Sequence, residues 1–266
     1  MCPLDMKDPV EFYAGLAPLY HLIYPDWAAS MERQAAMLDS LMREVWGNVS
    51  RVLDVSCGIG TQAIGLAKLG YTVTASDLCP EEVGRATCEA AARGVSVSFS
   101  VADMRRAYEH HASQFDVVIS CDNSVPHLLC DEDILVAFRQ MFECTRPGGG
   151  CIISVRSYET EDLSKQQIKP YGLRQEGSVR WLIWQVWDPR PPIYDLTMYF
   201  VEDRGESRCA TQVMRSSYYA ISIARLAELM TEAGFTDVRR LDGRFFQPVI
   251  LGTRKAQPVD APNERG

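Results

Sequence analysis

The feature that most limits how this chain can fold is an alternation of short β-rich runs with helical segments between residues 51 and 155. "RVLDV" opens the series, and a glycine loop leads into a helix over residues 61–69 that Gly70 stops in a left-handed cap position. "YTVTAS" is the second strand, followed by a helix that starts near Pro80 and ends at Gly94. "VSVSFSV" alternates as a third strand, "FDVVIS" is a fourth, and residues 131–144 form a helix with an acidic start. "RPGGG" reads as a turn before the fifth strand, "CIISV". Strands separated by helices of this length predict a parallel, doubly wound α/β sheet with right-handed crossovers. Ligands bind such sheets beyond the carboxyl ends of the strands, near the reversal of strand order. The chemistry is therefore expected after Val55, Ser76, Val101, Ser120 and Val155.

The flanks follow other patterns. Residues 11–46 read as helical, interrupted at Pro25-Asp26 into two helices and ended by Gly47-Asn48. From residue 167 to 219 the β-prone runs lie close together, as in "VRWLIWQVW", "IYDLTMYFV" and "CATQVMRSSYY", which predicts a small antiparallel sheet inserted after strand five. A helix over residues 221–233, capped by Gly234, and the strands "VRRL" and "PVILGT" return to the main sheet. The expected layout is an N-terminal helical lid over 1–47, a Rossmann-like domain from 48–156 and 220–255, a β insert over 157–219 covering the substrate pocket, and a disordered tail at 256–266.

Composition removes several function classes. A net charge of −8 lacks the basic footprint that phosphate-backbone binding needs, so nucleic acid is not an expected partner, and Arg105-Arg106 reads as a solvated loop. No apolar run is long enough to span a bilayer, and the N-terminus has no apolar signal core. Nine cysteines without a C-x-x-C pair argue against a metal site and a disulfide framework, and for reduced thiols in a cytoplasmic protein. The sequence leaves homo-oligomer formation open.

The loop "VLDVSCGIGTQ" places Gly58, Gly60 and Ala63 in a G-x-G-x-x-A pattern, where a backbone turns tightly against a ligand and a helix N-terminus offers free N–H groups. Asp77 closes the second strand, where a carboxylate can accept hydrogen bonds from both ribose hydroxyls. At this point a nicotinamide dinucleotide and S-adenosylmethionine (SAM) both remain open. Asp103, ending the third strand in "VADM", suits an adenine amino group, and the C-terminal elements suit closure by an antiparallel hairpin rather than a second mononucleotide half.

Taken in order, "VLDVSCGIG", "ASD", "VADM", "FDVVIS" and "RPGGGCIISV" resemble the successive motifs of the class I SAM-dependent methyltransferases, over residues 51–156. Ser56 stands where many members carry the first of three glycines. The resemblance implies a seven-stranded sheet with its last strand antiparallel and SAM as cofactor. It assigns Asp54, Ser56, Cys57, Gly58, Gly60, Asp77, Leu78, Ala102, Asp103, Met104 and Cys121 to the cofactor.

"CDNSVPHL", "RPGGGCIISVRSYE" and "MRSSYY" are further similar to glycine N-methyltransferase and related small-amine N-methyltransferases. That likeness implies Asn123 beside the substrate and His127 beside the methionine part of SAM. It also implies Arg156 on a substrate carboxylate, with Tyr158 and Tyr218 or Tyr219 completing the pocket. His127, Asn123 and Tyr218 are the candidate catalytic residues; Tyr24 and Arg33, in a tyrosine-rich N-terminal segment, are further cofactor candidates. Read physically, Tyr13, Tyr20, Tyr24 and Trp27 serve either as a core face or as a lid over a sulfonium. Arg33 meets the methionine carboxylate or lies on a solvated face, and Arg156 clamps a carboxylate or pairs with Glu159. Ser154 departs from the glycine enzyme, which has an acidic residue there. The expected activity is methyl transfer to a carboxylate-bearing amine such as glycine or sarcosine; a natural-product or amino-sugar methyltransferase and a noncatalytic SAM-binding regulator are the alternatives.

Overall fold

Val52, Leu53, Val117, Val118, Ile119, Ile152 and Ile153 are each fully buried, which is why their strands read as continuous apolar runs. In the computed structural model, which describes residues 8–256, these strands form the centre of a seven-stranded sheet. Its strands are β1 (Arg51–Asp54), β2 (Thr72–Asp77), β3 (Ser98–Val101), β4 (Phe115–Ser120), β5 (Thr145–Ser154), β10 (Thr236–Leu241) and β11 (Val249–Thr253). Their spatial order is β10-β11-β5-β4-β1-β2-β3, with β11 antiparallel to both neighbours. The order reverses between β1 and β4, so the crevice opens beyond the ends of those two strands.

Helices cover both faces. The helices α2 (Trp27–Trp46) and α3 (Thr61–Lys68) bury Leu38, Leu41, Met42 and Leu66 with Val52, Val73 and Val117 on one side. The helices α6 (Asp131–Cys144) and α7 (Ile223–Glu232) bury Phe138, Met141, Leu226 and Met230 with Leu53, Val118 and Ile153 on the other. The helix α4 (Pro80–Ala92) follows β2, and α5 (Ala107–His111) precedes β4. Asp26 caps α2 by accepting from the Ala29 N–H at 2.9 Å, so the interruption at Pro25-Asp26 is a helix start. Before it lie α1 (Pro9–Leu16) and a 3₁₀ turn over Tyr20–Ile23.

The second sheet has four antiparallel strands, β6 (Gln167–Glu176), β7 (Val179–Arg190), β8 (Ile193–Asp203) and β9 (Ala210–Tyr219), in that order. Trp181 and Trp187 point inward, where Phe12 and Leu16 of α1 pack with them, while Trp184 stacks on Tyr199 across the outer face at 5.2 Å.

"RPGGG" is strand rather than turn, since β5 begins at Thr145. The reason is close packing: a Cβ on Gly149 would strike the Asp116 carbonyl oxygen, and one on Gly150 would fall inside the Trp46 indole. Of the expected disordered tail only Ala256 is described, and residues 257–266 lie outside the described residues, as do residues 1–7 at the start of the expected lid. No helix among the described residues is long and apolar enough to cross a membrane.

Candidate active site

The crevice is built first by the loop after β1. Gly58 and Gly60 adopt φ of 51° and 92°, a region open to glycine, and a Cβ on Gly60 would lie 2.7 Å from Ile64. The Cys57 N–H donates to the Ser76 carbonyl at 3.0 Å, which ties the loop to the end of β2. Ser56, where a glycine was the familiar choice, bridges β1 to β4 through a 2.8 Å hydrogen bond with Ser120.

Three carboxyl groups crowd this end of the cavity. Asp77 accepts from the Gly58 N–H at 2.9 Å and the Cys79 N–H at 3.0 Å. Asp54 accepts from the Ser56 N–H at 3.2 Å, but among the described residues its Oδ2 has no partner, and Oε1 of Glu82 on α4 has none either. Burial pushes Asp54 up to about 7 and raises Asp77; burial and the neighbouring Asp77 charge hold Glu82 well above its ordinary value. Buried acceptors without donors in the protein are the complement of a ligand rich in hydroxyl and ammonium donors.

At the far side of β3, Asp103 is not a free acceptor. Burial raises its pKa, but Arg105, which donates to Asp103 at 2.6 Å and to Asp133 at 2.7 Å, outweighs burial and keeps Asp103 ionised to lower pH than usual. Arg105 is therefore a fixed wall of the cavity and not the solvated loop expected from sequence.

The opposite end is aromatic. Tyr13, Tyr20 and Tyr24 reach in from the N-terminal segment. Tyr24 donates to Asp122 Oδ2 at 2.9 Å and Tyr20 to the same oxygen at 3.5 Å. His127 has both ring nitrogens engaged, Nε2 with the Tyr13 hydroxyl at 2.8 Å and Nδ1 with Ser216 at 3.3 Å, and burial drives its pKa down to about 3. Asp122 and Asn123 carry φ of 59° and 65°, uncommon for residues with side chains. Their turn is pinned by Ser154, whose Oγ accepts from the Asp122 N–H at 2.8 Å and whose carbonyl accepts from the Asn123 N–H at 3.0 Å. Behind this wall, Arg156 donates to Tyr194 at 2.8 Å and lies 4.7 Å over the Trp187 ring, with no carboxylate among its hydrogen-bond partners in the described residues.

Residues 52–149 match the family described as a methyltransferase domain. A Geobacillus sp. (strain WCH70) protein that carries the name methyltransferase provisionally is 30% identical over 187 residues, 70% of this chain and 74% of that one. The chain belongs to the class I SAM-dependent methyltransferases. A glycine/sarcosine N-methyltransferase of Parasynechococcus marenigrum (strain WH8102) is 30% identical over 134 residues, 50% of this chain and 47% of the relative, so the match spans about half of each. The crystal structure of Streptomyces venezuelae DesVI shares the fold at a TM-score of 0.79 and 18% identity, covering 89% of this chain and 97% of that one.

The fit of the methyltransferase crevice to SAM rests on Asp54 and Glu82, each with a buried oxygen unpartnered among the described residues, and on Gly58 on its wall, where a Cβ would come within 3.5 Å of the Glu82 carboxyl. It gathers Tyr24, Ser56, Cys57, Gly58, Asp77, Leu78, Ala102, Asp103, Met104, Cys121 and His127 along its wall, whereas Asp54 and Gly60 of the same loop region are buried and do not line it. Tyr218 stands behind, its ring 4.0 Å from that of His127. Asn123 is one layer back, its amide occupied by the Arg156 N–H at 2.9 Å and the Tyr158 hydroxyl at 3.4 Å. Besides Tyr218 and Asn123, the sequence candidates Arg33, Arg156, Tyr158 and Tyr219 do not line the cavity, Tyr158 lying with its hydroxyl 3.0 Å from that of Tyr194. Arg33 is on an exposed turn of α2, bonded to Ser30, and Tyr219 points away from Tyr218 to donate to Asp131 at 2.9 Å. Adjacent residues of a strand face opposite ways, so only one of the two tyrosines could line the pocket. Sequence reasoning did not single out Glu82 or Asp122. The available signals were a second acid in the first turn after Asp77, and an acid inside "CDNSVPHL".

Proposed function

We propose that this methyltransferase transfers the methyl group of SAM to the amine of a small carboxylate-bearing molecule of the glycine or sarcosine type. The observation that carries this reading is Arg156, a guanidinium set among aromatic rings with no carboxylate of the described residues hydrogen-bonded to it, beyond the aromatic end of the cavity. A planar fork of donors in such surroundings is suited to a bidentate carboxylate. The glycine/sarcosine enzyme among the relatives supports the same class of acceptor.

Bound SAM supplies a methyl group already activated on a sulfonium. The chain's work is then to hold, align and dry the two partners, which in principle accounts for a large part of the rate. With SAM bound, Asp77 and Glu82 would hold the ribose hydroxyls and Asp103 the adenine, while Asp54, buried beneath the loop, would favour the methionine ammonium. Tyr13, Tyr20 and Tyr24 line the cavity, and a cation held over such a ring would gain roughly 0.5–2 kcal/mol where water is excluded. His127, neutral and held by Tyr13 and Ser216, orients rather than titrates.

The test is S-adenosylhomocysteine release over glycine, sarcosine, dimethylglycine, larger amino acids and carboxylate-free amines. Turnover confined to carboxylate-bearing amines is expected, and Arg156→Ala should raise the acceptor KM on the order of 10–100-fold while leaving SAM affinity intact. An unchanged KM removes Arg156 from the acceptor site. A second reading, an amino-sugar acceptor, is favoured by one feature: Arg156 sits a layer behind the cavity wall, already bonded to Tyr194. Turnover on carboxylate-free amines alone would select it.

A further inference from the structure

We propose that Asp122 is the catalytic acid–base group of the acceptor site, receiving the amine as its ammonium ion and accepting its proton before methyl transfer. This rests on the N-methyl reading above and names the group that would make the amine nucleophilic.

Three observations point to Asp122. It lies on the cavity wall where the carboxyl-rich cofactor end meets the aromatic end formed by Tyr20, Tyr24 and His127. Its hydrogen bonds come only from neutral groups: Tyr24 and Tyr20 on Oδ2, and the Gln247 amide on Oδ1 at 3.3 Å. Among the described residues no cation is hydrogen-bonded to it, Arg156 acting only at longer range, and a carboxylate has about four acceptor positions, so capacity for an ammonium donor remains. The turn that aims it is held in left-handed backbone at two successive non-glycine residues, locked from below by Ser154. Such conformations persist where surrounding structure enforces them, commonly at functional sites.

His127, the sequence candidate for this role, is a poor proton acceptor. Both ring nitrogens already have partners, and burial keeps the ring neutral down to about pH 3. Asp122 shifts the other way, because burial raises its pKa more than Tyr24, Arg156, Tyr20 and Gln247 lower it. A carboxylate displaced upward from its usual range is a better matched base near neutral pH.

The step balances as follows. The ammonium N–H bond breaks and its proton passes to Asp122. The freed nitrogen lone pair forms the N–C bond to the methyl carbon while the C–S bond breaks, its electron pair remaining on sulfur. The products are the N-methylated ammonium and S-adenosylhomocysteine, and Asp122 returns its proton to solvent.

The other titratable and charged groups around Asp122 are Tyr20, Tyr24, Tyr171, Cys121 and Arg156, with His127 on the same cavity wall. Burial holds the tyrosines and Cys121 above their ordinary values, so none of these groups changes charge between pH 5 and 9, about the range of the assay. Asp54, beyond Cys121, does titrate there at about 7, so the acid limb belongs to Asp122 only if Asp122→Asn loses it. The experiment is the pH profile of kcat/KM for sarcosine with the wild type, Asp122→Asn and Tyr24→Phe, with SAM binding by calorimetry as the control for an intact site. Wild type should lose activity on the acid side. Asp122→Asn should bind SAM normally, fall on the order of 10²–10⁴-fold and lose the acid limb. Tyr24→Phe keeps the carboxylate but removes its shortest hydrogen bond, so its acid limb should move to higher pH, a readout that stands even if the Asn variant does not fold. Calorimetry of S-adenosylhomocysteine-loaded protein with sarcosine and with methylammonium should show both weakened in the Asn variant. Amine turnover that survives in Asp122→Asn with the same acid limb overturns the role of Asp122 and leaves the N-methyl reading standing. A wild type silent on every amine overturns both.

Discussion

Replacing Glu82 by methionine should make the ligand-free protein more stable and the SAM complex weaker. Glu82 is 1% exposed, and among the described residues its Oε1 has no partner and it stands near Asp77 with no cation in ion-pair contact. An unsatisfied buried polar group costs about 1–3 kcal/mol. Methionine is unbranched, favours helices and fills irregular apolar space, so most of that cost should be recovered in α4. A net gain of about 1 kcal/mol corresponds to a rise of roughly 2–4 °C in Tm for a chain somewhat smaller than this one. The lost acceptor should cost SAM about 1.5–3 kcal/mol, on the order of 10–100-fold in Kd. With SAM at about 100 times the wild-type Kd, ligand adds roughly 2.7 kcal/mol to the wild type and at most about 1.4 kcal/mol to the variant. Thermal melts with and without SAM, together with calorimetric Kd values, read both effects. A variant that melts lower without SAM, or that keeps its full SAM-induced shift, would refute the assignment of Glu82 as an acceptor held open for ligand.

Asp54 supplies a pH test. Its folded pKa of about 7 lies above the unfolded value of about 4, so its stabilising contribution is complete below pH 4 and is lost as the pH rises toward 7. The stability difference between wild type and Asp54→Asn, by chemical denaturation of the ligand-free protein, should move against the wild type over that window; a flat difference contradicts it. Gly150→Ala should lose about 3 kcal/mol or more in a urea titration, because the Trp46 ring occupies the position of the new methyl. Tyr219→Phe should lower stability by about 1 kcal/mol through the Asp131 hydrogen bond and leave the acceptor KM unchanged. A raised KM would return Tyr219 to the pocket.

The parallel strands were legible because burial on both faces demands unbroken apolar runs, and their helices because Pro80, Gly70, Gly94 and Gly234 punctuate them. The "RPGGG" segment was not, since glycine-rich sequence reads locally as turn, whereas here the glycines admit Trp46 and the Asp116 carbonyl against a strand. Arg105 was misjudged for a related reason. Its partner Asp103 is two residues away, but Asp133, which completes the clamp, arrives from α6. Arg33 and Tyr219 were misplaced because a motif gives the order of residues along the chain but not the direction of a side chain.

The sequence by itself determined the alternating sheet, the glycine loop at its switch point and the acid at the end of β2, because these depend on periodicity and backbone freedom over a few residues. Only the tertiary structure decided which polar groups are left without partners. Glu82 and Asp54 are short of donors, Asp122 is held by two tyrosines from about 100 residues upstream, and both nitrogens of His127 are engaged. Such deficits are set by what the rest of the chain brings within about 3 Å, and no local pattern records that.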